Sequence, residues 1–326
     1  MIAREDLFAR YTHKNVLVTG GKGFLGRSVC ATLNAYGAHV IAPSSKEYDL
    51  TIPHEAEKMF QSAGRIDYLF HLAGYISGIQ GNDSSPIDHL VNNMRIMMNV
   101  LEQTKGMDVS IVAAGSVCAY PSDTKIPFKE TDLWYGAPEE TNAPYGVAKR
   151  AMLMMLWSLH KEYGVRYAYL ISANLYGPGD HFDSARSHVI PALIRKFMIA
   201  KDEGAPNVVV WGDGSATRDF LYIRDAADAY VRAGLVADDR RAMMMNIGSE
   251  METRISWLAE LIKRTTKYQG DIVYDSDKLT DQRRRLLDCE WAHGTMDWYA
   301  RTNILEGIEK TVEWYGEFEH ESSRNY

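Results

Sequence analysis

The feature that most constrains the fold is a glycine-rich turn near the start of the chain. Residues 15–19 (NVLVT) form a β-rich run, residues 19–26 (TGGKGFLG) follow it directly, and a helical pattern begins within that turn. Gly20, Gly23 and Gly26 have the spacing G-x-x-G-x-x-G. Glycine lets the backbone turn tightly and approach a pyrophosphate, and a helix N-terminus offers unpaired N–H groups to it. The spacing alone is weak, but between a strand and a helix it predicts a dinucleotide-binding site.

Short β-rich runs alternate with longer helical patterns over the first half of the chain, and this alternation is typical of a parallel sheet flanked by helices. The predicted strands span residues 15–19, 39–42, 68–72, 109–114 and 165–172, and the predicted helices span 24–36, 54–63, 86–105 and 145–163. After residue 174 the pattern loosens. Helices near 188–200 and 255–267 mix there with short strands at 208–211, 243–247 and 271–274.

These patterns predict an α/β chain with a Rossmann-type, doubly wound parallel sheet and a smaller mixed α/β lobe. We expect the dinucleotide-binding domain to cover residues 1–174, completed by segments near 215–250. The substrate-binding lobe is expected over residues 175–326. Residues 317–326 are polar, and we expect them to fray.

Composition and charge argue against several classes of protein. The 326 residues carry a net charge of −7, which disfavours nucleic acid as the main partner. Cys30, Cys118 and Cys289 have no paired spacing, so the sequence predicts neither a disulfide framework nor a metal site. No apolar run approaches the ~20 residues that span a bilayer, and the charged start does not fit a signal peptide. We therefore expect a cytoplasmic protein that binds no metal, nucleic acid or membrane.

Two of the predicted helices carry more apolar positions than one core-facing stripe needs. In helices 86–105 and 145–163 these positions are Met94, Met97, Met98, Leu101, Met152, Met154, Met155, Leu156 and Trp157. One explanation is deep core packing in which methionine fills gaps. The other is that both helices also pack against a second subunit as a four-helix bundle, since surplus apolar surface often marks an interface. We favour the second explanation and expect a homodimer.

The segment after the second predicted strand indicates which dinucleotide is bound. An acidic residue there would hydrogen-bond the ribose 2′-hydroxyl of NAD and repel the 2′-phosphate of NADP. This segment has no carboxylate before Glu47, and Ser44, Ser45 and Lys46 can instead hold a phosphate. Lys22 could add to that site, although a solvated loop lysine is the simpler explanation. The sequence therefore favours NADP(H).

A tyrosine and a lysine lie four residues apart on one face of the predicted helix 145–163. Tyr145 alone is a poor acid–base catalyst at neutral pH, because the pKa of a tyrosine is about 10. The ammonium group of Lys149 beside it would stabilise the phenolate and lower that pKa. Ser116 closes an earlier strand and could hydrogen-bond the same substrate oxygen as Tyr145. The Y-x-x-x-K spacing is common by chance, but with Ser116 and the glycine-rich turn it predicts a reductase site.

Several further motifs extend this pattern along the chain. They are HLAG at 71–74, GSVCAYP at 115–121, ETNAPYGVAK at 140–149, NLYGPGD at 174–180, SHVIPAL at 187–193, VWGDG at 210–214, RDF at 218–220 and NIG at 246–248. Through them the chain resembles the extended short-chain dehydrogenases/reductases, in particular the sugar-nucleotide epimerase and dehydratase group. Within that group it is most similar to the GDP-L-fucose synthase family, from about residue 14 to about residue 290. The resemblance implies epimerisation of a GDP-4-keto-6-deoxymannose at C3 and C5, then reduction of the C4 ketone with NADPH.

The same resemblance implies roles for individual residues. Ser116, Tyr145 and Lys149 would form the reductase triad, with Tyr145 protonating the C4 oxygen. Cys118 and His188 lie where the family has its epimerisation acid and base. Taken singly, they would be a small buried hydrophobic residue and a helix cap. The cofactor-binding set is Gly20, Gly23, Phe24, Leu25, Gly26, Ser44, Ser45, Lys46, Asp49, Leu50, Leu72, Ala73, Gly74, Tyr145, Lys149 and His188.

The implied substrate-binding set is Asn174, His188, Trp211, Arg218 and Arg285. Arg218 and Arg285 are suited to a diphosphate, because a guanidinium is planar and always charged. Arg285 closes a run of three arginines, 283–285, and such a run could equally form a solvated face.

Two departures from the family's pattern leave other enzymes open. Val117 stands where a second hydroxyl residue is common, and residues 279–285 (LTDQRRR) replace a Gly-Thr-Pro-x-Lys stretch that contacts the nucleotide or sugar. The alternative is a 4-ketoreductase or 4-epimerase on a different nucleotide sugar, without 3,5-epimerisation. A 4,6-dehydratase is disfavoured because Val117 and Cys118 replace the acidic pair that it needs. A non-catalytic cofactor sensor is disfavoured because such proteins typically lose the tyrosine or the lysine.

Overall fold

A parallel sheet of six strands forms the centre of the molecule. The computed structural model describes residues 2–76, 84–183, 187–239, 242–277 and 282–324, so residues 279–281 of the departure noted above lie outside the described residues. The strands are β1 (Asn15–Thr19), β2 (His39–Ile41), β3 (Tyr68–His71), β4 (Ser110–Ala114), β5 (Arg166–Ser172), β6 (Asn174–Tyr176), β7 (Asn207–Trp211), β8 (Thr217–Tyr222), β9 (Ala242–Ile247), β10 (Glu252–Arg254) and β11 (Asp271–Asp275). The central sheet has the order β2-β1-β3-β4-β5-β9 with every pair parallel.

The helices pack in groups beside this sheet. They are α1 (Arg4–Tyr11), α2 (Phe24–Ala35), α3 (Pro53–Ala63), α4 (Pro86–Glu102), α5 (Ala143–Tyr163), α6 (Val189–Glu203), α7 (Ile223–Asp238), α8 (Ile255–Thr266), α9 (Glu290–Met296) and α10 (Ile304–Arg324). Helix α2 packs against α7, and α4 packs against α3 and α5. The predicted Rossmann-type α/β fold is confirmed. In the part of the chain that the structure describes, we find no helix with the length and apolar character that a bilayer crossing requires.

The strand order places a topological switch point beside β1. Val16 of β1 pairs with Val40 of β2 on one side and with Tyr68 of β3 on the other. The chain therefore leaves β1 in one direction for β2 and crosses to the other side for β3. In open parallel sheets, ligands bind outside the carboxyl ends of the strands at such a switch point. The glycine-rich turn after β1 lies at this place.

The C-terminal half adds two small sheets and a second hydrophobic cluster. One sheet has the order β10-β8-β6 and the other pairs β11 with β7. Their apolar side chains pack with those of α6, α8 and α10 in a cluster that includes Phe197, Leu258 and Ile308. Leu287 and Trp298 instead join the larger cluster around the central sheet, so the chain returns to that core. The division of the chain into domains at residue 174 stays a prediction.

The expectation that the end of the chain frays from residue 317 is wrong as far as residue 324. Helix α10 continues to Arg324. Its aromatic side chains explain why, because the ring of Trp314 stacks on Phe318 with the centroids 5.1 Å apart and also contacts Phe182. Aromatic contacts at helical spacing therefore hold the helix as far as Phe318, at the start of this mostly polar segment.

Candidate active site

The glycine-rich turn forms a tight cradle at the end of β1. Gly20 has a positive φ of 71°, and a Cβ built on it would lie 2.8 Å from the backbone nitrogen of Ala73. The N–H of Gly23 donates to the carbonyl of Gly20 at 2.9 Å, and Gly23 is the N-cap of α2 without a capping side chain. Phe24 and Leu25 begin that helix, and N–H groups in a first helical turn have no intrahelical acceptor. The geometry therefore fits a pyrophosphate held by backbone groups.

The segment after β3 forms the opposite wall of the cradle. Leu72, Ala73 and Gly74 follow β3, and the N–H of Ala73 donates to the hydroxyl of Thr19 at 3.4 Å. That hydroxyl also lies 2.8 Å from Nδ1 of His71. Burial, assisted by the nearby Lys149 ammonium, lowers the pKa of His71 to about 3. The floor of the cradle is thus uncharged at neutral pH.

The loop predicted to hold the 2′-phosphate already binds a carboxylate of its own. The N–H and the hydroxyl of Ser44 both donate to Glu47 at 2.7 Å, and these bonds lower the pKa of Glu47. Ser45 and Lys46 are exposed beside this turn. Donors that bind a carboxylate oxygen can bind a phosphate oxygen in the same way. This role of Glu47 was not predicted from the sequence, although the S-x-x-E spacing from Ser44 to Glu47 is a known local pattern.

Asp49 and Leu50, also predicted to bind the cofactor, have local roles in the structure. The carboxylate of Asp49 accepts bonds from the N–H and the hydroxyl of Thr51 at 2.9 and 2.7 Å. The carbonyl of Leu50 accepts a bond from Asn99 of α4 at 2.9 Å. These contacts fix the loop after β2, and the predicted contact of both residues with the cofactor stays a prediction.

The structure brings Ser116, Tyr145 and Lys149 together. Ser116 follows β4, and its side chain is hydrogen-bonded to Tyr145. Tyr145 is in the first turn of α5, and Lys149 follows one turn later on the same face. The ammonium of Lys149 donates to the carbonyl of Ala114 at 2.8 Å and lies 5.5 Å from the centre of the Tyr145 ring. The half-buried hydroxyl of Ser116 and the buried side chains of Tyr145 and Lys149 thus lie together beyond the end of β4.

Burial shifts the pKa values of Tyr145 and Lys149 in this trio. It raises the pKa of Tyr145 above its ordinary value, with Cys118 and Tyr230 adding to the effect and the bond from Ser116 opposing it. Burial also lowers the pKa of Lys149 to about 8. The sequence-based expectation was that Lys149 lowers the pKa of Tyr145; in the structure burial raises that pKa instead, and Lys149 is not among the groups that shift it. Tyr145 is therefore a protonated donor at neutral pH.

Cys118 and His188 lie in different elements. Cys118 is half-buried in a short 3₁₀ turn, Val117–Ala119, and its N–H donates to the hydroxyl of Ser116 at 3.2 Å. This places the thiol beside the trio. His188 is exposed at the N-cap of α6, and its side chain makes no capping hydrogen bond. The simple helix-cap explanation therefore does not account for this histidine.

Among the predicted substrate residues, two arginines come together and two residues lie at strand ends. Arg218 is buried on β8 and donates to the carbonyls of Thr217 and Arg283 at 2.6 and 3.4 Å. The N–H of Arg285 donates to the same Thr217 carbonyl at 3.2 Å. Asn174 is the first residue of β6 and Trp211 the last residue of β7, and both are half-buried.

A family model described as the NAD dependent epimerase/dehydratase family matches residues 16–248. The chain belongs to that family. The match begins in β1 and ends just after β9, so it includes the cradle and the trio. The chain is thus an enzyme of the epimerase/dehydratase type, as the sequence analysis predicts.

Known proteins similar to the chain agree with this assignment. The GDP-L-fucose synthase of Escherichia coli (strain K12) is 32% identical over 310 residues, which cover 93% of this chain and 96% of that protein. A GDP-6-OMe-4-keto-L-xylo-heptose reductase from C. jejuni has a TM-score of 0.87 at 26% identity, covering 94% of this chain and 98% of that chain. A GDP-L-fucose synthetase from Naegleria fowleri bound to NADP has a TM-score of 0.84 at 25% identity, covering 95% of each chain.

Two carboxylates that the sequence analysis did not single out support the site of this epimerase/dehydratase family member. Asp219 is buried and accepts bonds from the N–H and hydroxyl of Ser249 at 2.8 and 2.7 Å, which ties β8 to the segment after β9. Asp180 is buried after β6 with one oxygen bonded to the N–H of His181, and burial raises its pKa to about 7. Asp219 belongs to the RDF motif and Asp180 to the NLYGPGD motif. These two motifs were the features of the sequence that could have identified both carboxylates.

Proposed function

We propose that this chain is an NADPH-dependent epimerase/reductase that acts on a GDP-4-keto-6-deoxyhexose. The observation that carries the proposal is the cluster of Ser116, Tyr145 and Lys149 with the thiol-bearing turn of Cys118 at the end of the central sheet. The similarity to GDP-L-fucose synthases over nearly the whole chain supports a GDP-linked keto sugar as the substrate. The cofactor is NADP(H), in agreement with the NADP-bound structure similar to this chain.

The trio accounts for the reductive half of this activity. NADPH supplies the hydride that reduces the C4 ketone. Tyr145, protonated at neutral pH, gives its proton to the C4 oxygen as negative charge develops there. Ser116 donates a hydrogen bond to the same oxygen. The ammonium of Lys149 then stabilises the phenolate that Tyr145 leaves behind, at a distance of 5.5 Å from the ring centre.

Cys118 and His188 account for the epimerising half. Protons on carbons next to a ketone are acidic, because the resulting negative charge is delocalised into the carbonyl oxygen. One residue removes such a proton and the other returns a proton from the opposite face of the ring, which inverts the carbon. C3 and C5 both flank the C4 ketone. One acid–base pair can therefore serve both centres.

The remaining predicted residues bind the two nucleotides. The 2′-phosphate of the cofactor binds Ser44, Ser45 and Lys46, where the donors of Ser44 now hold Glu47. In the substrate-binding lobe, Arg218 binds the diphosphate, since a buried guanidinium gives two parallel hydrogen bonds to it. Arg285, the other arginine of the predicted substrate set, lies beside Arg218 along β8.

A second candidate is a 4-ketoreductase or 4-epimerase on another nucleotide sugar. The similarity to a GDP-heptose reductase with a TM-score of 0.87 favours it. Val117 in place of a second hydroxyl residue, and the altered stretch that ends at Arg285, also favour it. In that case the trio would act alone and Cys118 would have no role in turnover.

The first experiment gives the pure protein GDP-4-keto-6-deoxymannose and NADPH in heavy water and weighs the product. We expect oxidised cofactor and deuterium at two ring carbons, because each inversion returns a proton from solvent. Cys118→Ser should lose at least ~10²-fold in the rate of deuterium incorporation while reduction persists. Cys289→Ala is the control, since Cys289 is a fully buried thiol of the hydrophobic core.

Two results would contradict the proposal in different ways. Oxidation of NADPH without deuterium in the product would leave the ketoreductase as the better assignment. Equal deuterium incorporation by the Cys118→Ser protein and the wild type would remove Cys118 from epimerisation. Absence of any turnover would exclude this substrate and direct the search to other nucleotide sugars.

We also propose that a second copy of the chain packs on α4 and α5 as a homodimer. Met98 of α4 and Met154 and Trp157 of α5 are exposed on two helices that pack against each other. Large apolar side chains that share one face of a monomer usually mark an interface. We expect Met154→Glu with Trp157→Glu to give a monomer in sedimentation, because the interface would have to bury two charges.

Trp257→Glu on α8 is the control for the Trp157→Glu substitution in this test. Trp157 and Trp257 are 47% and 48% exposed, so the two substitutions place the same charge at equally exposed positions. A wild-type protein that sediments as a monomer at micromolar concentration would refute the homodimer. A dimer that only the Trp257→Glu protein loses would locate the interface elsewhere.

A further inference from the structure

The guanidinium of Arg285 contacts the thiol of Cys118. Its Nη1 donates to Sγ at 3.7 Å, and its Nε donates to Gln282 Oε1 at 3.3 Å. The two residues are 167 positions apart in the chain, so the contact joins the thiol-bearing turn after β4 to the segment before α9. Only 3% of Arg285 is exposed. The fold therefore directs a buried cation at the thiol.

The backbone around Arg285 is held on both sides, which fixes this orientation. Residues 283–285 run beside the start of β8: the N–H of Thr217 donates to Arg283 and the N–H of Arg285 returns to Thr217. Further along, the N–H of Phe128 donates to the carbonyl of Leu286 at 2.8 Å. Segments with strand-like pairing alternate their side chains between two faces. Arg285 therefore points inward while its neighbour points outward.

Arg284 lies on the outer face of this alternating segment. Its guanidinium forms two hydrogen bonds with the carboxylate of Glu252, at 2.6 and 2.7 Å, and its side chain is 53% exposed. The solvated-face explanation of the arginine run is thus right for Arg284. It is wrong for Arg285, of which only 3% is exposed.

Arg285 contacts the sulfur of Cys118, and the other groups around this residue make different contacts. Ser116 accepts the N–H of Cys118, and the neutral phenol of Tyr145 approaches from α5. A Cβ on Gly146 of α5 would lie 2.5 Å from the carbonyl of Cys118, so that helix packs directly on the turn. Lys149 directs its ammonium to Ala114 instead.

We propose that Arg285 is a positioning residue that holds Cys118 as a thiolate, the form that removes the proton from the sugar carbon. The role in turnover rests on the proposed epimerase function, whereas the thiolate itself is a property of the free protein. Thiols beside an arginine ionise at lower pH than a free cysteine, because the cation and a charge-assisted bond stabilise the anion. An arginine stays protonated throughout the working pH range.

In the reaction, the sulfur lone pair of Cys118 takes the proton from the carbon next to the ketone and forms S–H. The electron pair of the broken C–H bond moves toward the carbonyl, whose oxygen becomes the enolate. His188 returns a proton to the opposite face, and exchange with solvent restores the thiolate and the protonated histidine. Arg285 neither gains nor loses a proton in this sequence.

The test measures alkylation of Cys118 by iodoacetamide in the free protein from pH 5 to pH 9.5, with mass spectrometry of the peptide that contains Cys118. Iodoacetamide reacts with the thiolate, so the rate reports the ionised fraction. We expect the wild-type rate to be half-maximal well below the value of ~8.5 for a free thiol. Arg285→Gln should lower the rate at pH 7 by ~10-fold or more and move the profile to higher pH. Arg285→Lys should retain an intermediate rate.

Arg284→Gln is the matched control and should leave the profile unchanged. Cys289, buried in the core, reports in the same digest whether a variant unfolds, because it then becomes reactive too. A wild-type profile like that of a free cysteine would overturn the proposal whether or not the variants fold. Equal profiles for the wild type and folded Arg285→Gln would also overturn it, and a higher substrate KM alone would then assign Arg285 to the diphosphate. No substrate is present, so failure of the epimerase assignment would leave these readouts intact.

Discussion

Tyr145→Phe is expected to lower the rate of 4-keto reduction by about 10²- to 10⁴-fold while NADPH binding is unchanged. The substitution removes one oxygen and keeps the ring. The phenol of Tyr145 lies beside Ser116, and the ammonium of Lys149 lies over its ring, 5.5 Å from the ring centre. Without it, the C4 oxygen would acquire negative charge with no proton to neutralise it, and the hydroxyl of Ser116 alone stabilises that charge poorly.

The measurement is single-turnover oxidation of NADPH with the keto sugar, together with a fluorescence titration of NADPH binding. Tyr11→Phe is the matched control, because Tyr11 is also buried and donates a bond from its hydroxyl, to Val231 at 2.6 Å. We expect that control to lose about 1 kcal/mol of folding stability and no activity. If Tyr145→Phe reduced the substrate at the wild-type rate, another group would be the proton donor.

The parts of the site that could be predicted from the sequence are those encoded locally. The turn at Gly20 to Gly26 connects one strand to one helix, and its requirement for glycine is visible in the spacing alone. The same holds for Tyr145 and Lys149, which share a helix face. Each of these features depends on residues within one or two turns of each other, so backbone geometry places them together.

What the sequence could not provide depends on contacts between distant segments and on burial. Helix α7 was missed because it is buried on nearly every side, so its residues show no single apolar stripe. The contact between Arg285 and Cys118 joins residues that are 167 positions apart in the chain. The pKa of Tyr145 rises because solvent is excluded from it, and exclusion of solvent is a property of the packed fold rather than of the helix.

Gly26→Ala is expected to weaken NADPH binding by ~10²-fold or more, since displacement of about 1 Å at a preorganised site has an effect of that size. A Cβ on Gly26 would overlap with the carbonyl oxygen of Gly20 and would lie 2.6 Å from Cα of Gly21. Both are backbone atoms that cannot rotate away, so α2 would have to move away from the turn. The N–H groups of its first turn would then no longer face the pyrophosphate. Overpacking would in addition cost about 1–3 kcal/mol of folding stability.

Two measurements, a titration of NADPH binding and thermal unfolding, are made on the variants Gly26→Ala and Gly294→Ala. Together they separate the local clash at Gly26 from a general effect of alanine. Gly294 is in α9, where a Cβ would meet nothing within 4 Å. Its replacement should keep the wild-type affinity and stabilise the helix by as much as about 1 kcal/mol. Wild-type affinity in Gly26→Ala would mean that the backbone of this turn does not contact the pyrophosphate. Because the trio is positioned by β4 and α5, the folded Gly26→Ala protein should still reduce the keto sugar at saturating NADPH, so its defect lies in binding rather than in proton transfer.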